Sequence, residues 1–160
     1  AIIVFVGDHG WQLGEHNLWA KHCNFQTSLK VPLLIKYPEQ TKNQRIQSVV
    51  ELIDLFPTLC ELSNLETPNH LQGKSLIEIN NKNSKNSVGY SSYHKGTTIT
   101  TSNYSYTQWF DTQKNKVIGE MLFDLNSDEQ ENSSLVKDSS YKKLISTFSS
   151  KIDSLRIKNL

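Results

Sequence analysis

The chain has 160 residues, enough for one domain of ordinary size, and its 17 Lys and Arg nearly cancel 16 Asp and Glu, leaving +1 at pH 7. That balance offers no handle for nucleic acid or an anionic membrane surface, and the longest apolar run is far too short to span a bilayer. The two cysteines, Cys23 and Cys60, permit one disulfide that the sequence does not specify.

The first element is the apolar run Ile2-Ile3-Val4-Phe5-Val6. It is rich in β-branched residues and does not alternate, so it reads as a strand buried on both faces, as in the middle of a parallel sheet covered by helices. Ligands of such sheets bind just beyond the carboxyl ends of the strands. Asp8 and His9 stand at that end, between Gly7 and Gly10, which allow a sharp turn and a close backbone approach. A carboxylate at a strand tip suits a hard divalent cation, and the same residues also make an ordinary turn. Trp11 to Phe25 has no clean period and reads as a long loop with short helical turns, a kind of segment that usually serves function. It carries Glu15, His16, Lys21 and His22. Taken alone, Lys21 is an ordinary surface lysine, and His16 and His22 pack or cap locally or reach toward a ligand.

Lys30 to Tyr37 is a second strand, with Pro32 near its start or at an edge. Val49 to Leu65 holds a helix: Asp54 is its expected N-cap, Pro57 sits in its first turn, Leu55, Leu59 and Leu62 share a face, and Asn64 ends it. Cys60 lies on the apolar side of this helix and reads as a buried thiol. Asn80 to Ser87 is polar and repetitive, the expected boundary between two units. Beyond it, Val88-Tyr90-Ser92, Thr98-Thr100, Tyr104-Tyr106-Gln108 and Met121-Phe123-Leu125 keep a period of two and predict a small antiparallel sheet. Its aromatics, Tyr90, Tyr93, Tyr104, Tyr106 and Trp109, read as core and cross-strand pairs rather than as a sugar-stacking stripe. Asp124, Asp128, Glu129 and Glu131 lack the spacing and turn glycine of a calcium-binding EF-hand loop and read as a solvated turn. Tyr141, Leu144, Ile145, Phe148, Ile152 and Leu155 recur at helical spacing and predict an amphipathic helix over Ser139 to Leu155, packed on the small sheet or on the first unit.

The ordered series Gly7-Asp8-His9-Gly10-Trp11, Leu13-Gly14-Glu15-His16, Leu18-Trp19, Lys21-His22 and Asn24-Phe25 resembles the metal-binding segment of the type I sulfatases, in the branch of iduronate-2-sulfatase and bacterial polysaccharide sulfatases. The resemblance continues through Val31-Pro32-Leu33, Glu51 to Leu59 and Gly73-Lys74-Ser75-Leu76. It closes at Leu122-Phe123-Asp124-Leu125 and Asp128 to Asn132, with Glu129 where the family carries proline. It implies an α/β fold: part of an alkaline phosphatase-like sheet over residues 1–80, then a small antiparallel-sheet-plus-helix subdomain over 81–160. The activity implied is calcium-dependent hydrolysis of a sulfate ester on a saccharide or glycosaminoglycan, in a periplasmic, extracellular or lysosomal setting. Asp8 and His9 would stand at the metal, with His9 as ligand or as immediate neighbour, since calcium prefers oxygen. Lys21, with His22 beside it, would meet the sulfate, where a fixed cation acts most strongly as charge develops. The region around His94 would lie near the substrate pocket.

The family's nucleophile is a formylglycine made from cysteine in a Cys-x-Pro-Ser-Arg segment. Neither Cys23, followed by Asn24-Phe25, nor Cys60, followed by Glu61-Leu62, has that context. The chain therefore resembles the C-terminal part of a sulfatase, beginning inside a core strand, and alone is expected not to turn over substrate. A phosphoester or phosphonate hydrolase of the same superfamily and an inactive glycan-binding relative are the alternatives. Nothing in the sequence specifies an oligomer.

Overall fold

The structure, a computed structural model, describes residues 1–40, 42–77 and 87–158. The elements are β1 (Ile3–Val6), β2 (Gln12–Leu13), β3 (Trp19–Ala20), α1 (Gln26–Leu29), β4 (Leu33–Lys36), α2 (Leu55–Leu62), β5 (Gly89–Tyr93), β6 (Gly96–Thr100), β7 (Tyr104–Asp111), β8 (Lys116–Asp124) and α3 (Lys142–Lys158). Apart from Ser87, the expected boundary over Asn80 to Ser87 lies outside the described residues.

The second half follows its sequence pattern closely. β5 to β8 form a four-stranded antiparallel sheet in chain order, with a bulge at Ile118 of β8 opposite Trp109 and Phe110 of β7. Inward-facing Ile99, Tyr106 and Leu122 meet Phe148 and Ile152 of α3, and Tyr90, Tyr104, Leu144 and Ile145 close the edges of that core. The helical period predicted this face of α3; of the aromatics, Tyr106 is in the core with Tyr90 and Tyr104 packed against it, while Tyr93 and Trp109 lie outside that cluster. Gln108 is buried among them, so its amide needs partners. It bonds Ser149 at 2.9 Å and takes a hydrogen bond from Arg156, whose guanidinium also lies over the Phe110 ring. Tyr106 donates to Glu120, and burial together with that carboxylate pushes the phenol pKa up.

The first half departs from expectation in three places. β1 does not lie in a parallel sheet among the described residues: it pairs antiparallel with β4, Phe5 opposite Leu34. One face is half-covered, but Phe5 and Leu34 are 63 % and 60 % exposed. An apolar run carries no mark of how many of its faces find partners, and the described elements cover only one. The long loop also contains a two-residue ladder, β2 with β3, too short to leave a periodic signal.

The α2 entry is the third departure. Asp54 stands at the N-cap position of α2, but in helical conformation and without a side-chain cap bond. Its carboxylate accepts from Glu51 N at 2.9 Å in a capping box, and from Lys74 N at 2.9 Å. That second bond draws the 73–76 loop onto the helix, where Leu76 N donates to Thr58 Oγ1. Pro57, Thr58 and Cys60 are the buried residues of α2, while Phe56 is exposed. Asn64 takes the expected left-handed conformation at φ 52°. Both cysteines are free thiols, Cys60 buried.

Candidate active site

The chain leaves β1 at Val6, and Gly7 N donates to Pro32 O at 3.0 Å, extending the pairing with the β4 side by one residue. Asp8 follows, its side chain 87 % exposed. Gly10 then runs against α1: its N–H donates to Ser28 O at 2.8 Å and Trp11 N to Thr27 O at 3.1 Å. A Cβ on Gly10 would stand 1.9 Å from Thr27 O, so only glycine fits this approach. The turn is thereby locked, and Asp8 and His9 are held at the strand tip.

The described structure brings three of the four residues singled out by sequence together. Lys21 Nζ lies 2.9 Å from His9 Nε2, and the same Nε2 lies 3.4 Å from Asp8 Oδ2. On its other side His9 Nδ1 lies 2.8 Å from Gly10 O. A carbonyl only accepts and an ammonium only donates, so the imidazole is read as neutral with its proton on Nδ1. Its Nε2 lone pair then serves Lys21. His9 also donates its backbone N–H to Asp8 Oδ1 at 3.1 Å, leaving Oδ2 directed toward the imidazole edge. An exposed carboxylate oxygen, an imidazole and an ammonium thus share a few ångströms of surface.

The fourth residue, His22, stands apart: its ring is exposed and stacks on Tyr93 at the end of β5, centroids 5.3 Å apart. Tyr93 in turn meets His94, centroids 4.2 Å apart, in the β5–β6 turn. His16 is drawn into structure. Its ring lies flat on Phe25 at 3.8 Å, and its Nε2 donates to Gln130 O and Glu131 O at 2.9 and 3.1 Å.

The loop carrying Lys21 is fixed by residues that spacing could not reveal. Cys23 Sγ lies 3.3 Å from Gln12 Nε2 and 3.1 Å from Ser28 Oγ, and Asn24 is buried. Phe25 touches Phe123 of β8. Glu131 corrects the reading of the acidic run as a solvated turn: it is 1 % exposed, and its Oε2 accepts from Gln26 N at 2.6 Å. Burial pushes its carboxyl pKa up, with the Gln26 N–H pulling partly back. Asp124 and Asp128 do sit at the surface, each accepting hydrogen bonds from the turn that follows it.

As a metal site the donors fit in part. Asp8 offers an oxygen of the kind calcium prefers, but among the described residues no third Asp, Glu, His or Cys joins Asp8 and His9. The surrounding cleft makes the same point. Asp8, His9, Lys21 and His22 help to line an open space of about 2420 Å³, several times the size of a typical ligand pocket. Together these residues line one side of an open cleft.

Residues 14–158 match the family N-sulphoglucosamine sulphohydrolase, C-terminal. The arylsulfatase K of Xenopus laevis is 32 % identical over 143 residues, covering 81 % of this chain and 26 % of that protein. The iduronate 2-sulfatase of Mus musculus is 35 % identical over 92 residues, covering 42 % of this chain and 17 % of that protein. Among solved structures, the yidJ protein of Bacteroides fragilis, named as a candidate sulfatase, aligns over 96 % of this chain and 35 % of its own, with a TM-score of 0.83 and 26 % identity. The chain spans about a quarter of the length of the curated relatives it matches.

Proposed function

The chain belongs to the sulfatase family defined by the C-terminal region of N-sulphoglucosamine sulphohydrolase, and from that premise we propose that it supplies one wall of a sulfuric ester hydrolase site for sulfated saccharides. Within it, residues 1–80 serve as the last part of the α/β catalytic domain and residues 81–160 as a small C-terminal subdomain. The observation that carries the reading is the contact of Lys21 Nζ with His9 Nε2, 2.9 Å, beside the exposed Asp8 carboxylate at a strand tip. The names of the relatives support the substrate class, since two of them are of enzymes that act on a sulfated sugar.

Each residue has a chemical task. Asp8 would hold a calcium ion through a carboxylate oxygen, together with further ligands, and His9 would stand beside it. A calcium ion held there would supply positive charge against the oxygens of the ester. Lys21, directed by His9, carries a fixed ammonium to the nonbridging and leaving oxygens, where it stabilises charge that grows toward the transition state. His22, stacked on Tyr93, stands next to Lys21 in the chain and lines the same cleft, an edge for the saccharide. The nucleophile, a formylglycine by resemblance, has no precursor context at Cys23 or Cys60. The working environment is periplasmic, extracellular or lysosomal. Among the described residues, no helix is long and apolar enough to cross a bilayer.

The test is Asp8→Asn in the intact enzyme, which keeps the shape and removes the charge. Calcium content and hydrolysis of sulfated glycosaminoglycan disaccharides are expected to fall together. Normal calcium content in that variant refutes the ligand role.

A further inference from the structure

The turn after β8 reaches into the loop that carries Lys21 at three successive residues. Glu129 Oε1 accepts from Lys30 Nζ at 3.0 Å, and the carbonyls of Gln130 and Glu131 accept from His16 Nε2. The Glu131 carboxylate accepts from Gln26 N, the first residue of α1. These contacts differ in weight. The Lys30–Glu129 pair is exposed on both sides and contributes little. The Glu131 bond is part-buried and charge-assisted, and joins residues 105 positions apart in the chain.

Only four residues separate Lys21 from Gln26, and the intervening segment is tied to the same place. Cys23 N donates to Lys21 O at 2.9 Å, and Phe25 is sandwiched between the His16 ring and Phe123. Gln26 Nε2 also donates to Thr100 Oγ1 at the end of β6. Glu131 itself holds a left-handed backbone at φ 56°, which a glutamate adopts only where its surroundings impose it.

We infer that Glu131 is a positioning residue for the site: from the sheet–helix unit it grips the backbone at Gln26 and fixes the loop that presents Lys21 to His9. Its functional meaning rests on Lys21 being the cation that meets the ester. The geometric statement does not, and it is tested without turnover. A loop held from a second unit sits in one place before substrate arrives, and a misplacement of about 1 Å in such a loop costs roughly 10²-fold in rate.

The experiment compares Glu131→Ala and Glu131→Gln with wild type in the intact protein. Two readouts are used: hydrogen exchange at the Gln26 amide, and the ¹⁵N resonances of His9, which report which ring nitrogen carries the proton. In Glu131→Ala, Gln26 exchange is expected to rise at least about tenfold, with the amides of Ile99 and Leu122 unchanged, and the His9 Nε2 resonance to shift as Lys21 leaves it. Glu131→Gln keeps an acceptor oxygen at the same reach and is expected to retain most of the wild-type pattern. Equal acceleration at Gln26, Ile99 and Leu122 would mean only global destabilisation and overturns the inference. So does a released Gln26 amide with His9 unmoved. Because neither readout needs a sulfate ester to be cleaved, a protein that turns out not to be a sulfatase leaves this result standing or falling by itself.

Discussion

Residues 1–40 and residues 88–158 are held by opposite means. The sheet–helix unit has its own core: Ile99, Tyr106, Leu122 and Ile152 are fully buried, and each such side chain contributes roughly 1.5–3 kcal/mol. Among the described residues, the site segment buries almost no apolar side chain, and Ile3, Phe5, Trp11, Leu13 and Trp19 are more than half exposed. The described contacts that order it are the Gly10–Ser28 and Gly7–Pro32 backbone bonds, the Cys23 contacts, the packing of Phe25 on His16 and Phe123, and the Glu131 carboxylate from across the molecule. The residues proposed for chemistry sit on the segment held by these contacts, and the described apolar core sits on the sheet–helix unit. Substitutions can therefore separate the two.

The largest effect on stability belongs to the packed side. Ile152→Ala, at a residue with no exposure in the centre of the α3 contact, is expected to cost about 2–5 kcal/mol in denaturant unfolding. A loss below that of an ordinary surface change would mean that the unit is not the stable part. Next comes Gly10→Ala. The added Cβ collides with the Thr27 carbonyl, so the Asp8–His9 turn must shift, and turnover should fall by about 10²-fold while unfolding of the sheet–helix unit stays near wild type. Wild-type turnover there would break the link between this turn and catalysis.

A smaller effect appears in the pH dependence of stability. Burial keeps the Glu131 carboxyl pKa above its ordinary value of 4.5, so the folded protein holds this proton to higher pH than the unfolded chain does. From that ordinary value up to the raised one, folding takes up a proton. The contribution is greatest below the window and is lost as pH rises through it. Glu131→Gln removes the titration, and its melting temperature should fall less steeply than that of wild type as pH rises through the window. Parallel profiles would show that Glu131 does not titrate in burial. The smallest effect is Lys30→Ala: it breaks an exposed pair with Glu129 and should change stability by less than about 1 kcal/mol.

The same contrast explains what could be read from sequence. The packed unit announces itself, because a core that repeats every 3.6 or every 2 residues writes its period into the chain. Tyr141, Leu144, Ile145, Phe148 and Ile152 all fall on the predicted face of α3. The pinned segment is aperiodic, so it was legible only through residue types and their order. Asp8, His9 and Lys21 could be singled out, and the described structure brings them together. His22 is adjacent in chain but aligned with Tyr93 instead. Glu131 was not legible, because one glutamate in an acidic run looks like its neighbours until Gln26 is seen beside it. The α2 entry was legible in position only: Asp54 stands at the N-cap, but its carboxylate serves Glu51 and Lys74.

The most direct measurement is the kinetics of Lys21→Ala in the intact enzyme, on a sulfated saccharide, with calcium content and melting temperature recorded on the same preparation. Loss of a preorganised charge that stabilises the transition state predicts a fall in kcat/KM of about 10²–10³-fold, with calcium content and melting temperature unchanged. Activity within about twofold of wild type, far short of the loss expected when such a group is removed, would contradict the assignment of Lys21 to the ester.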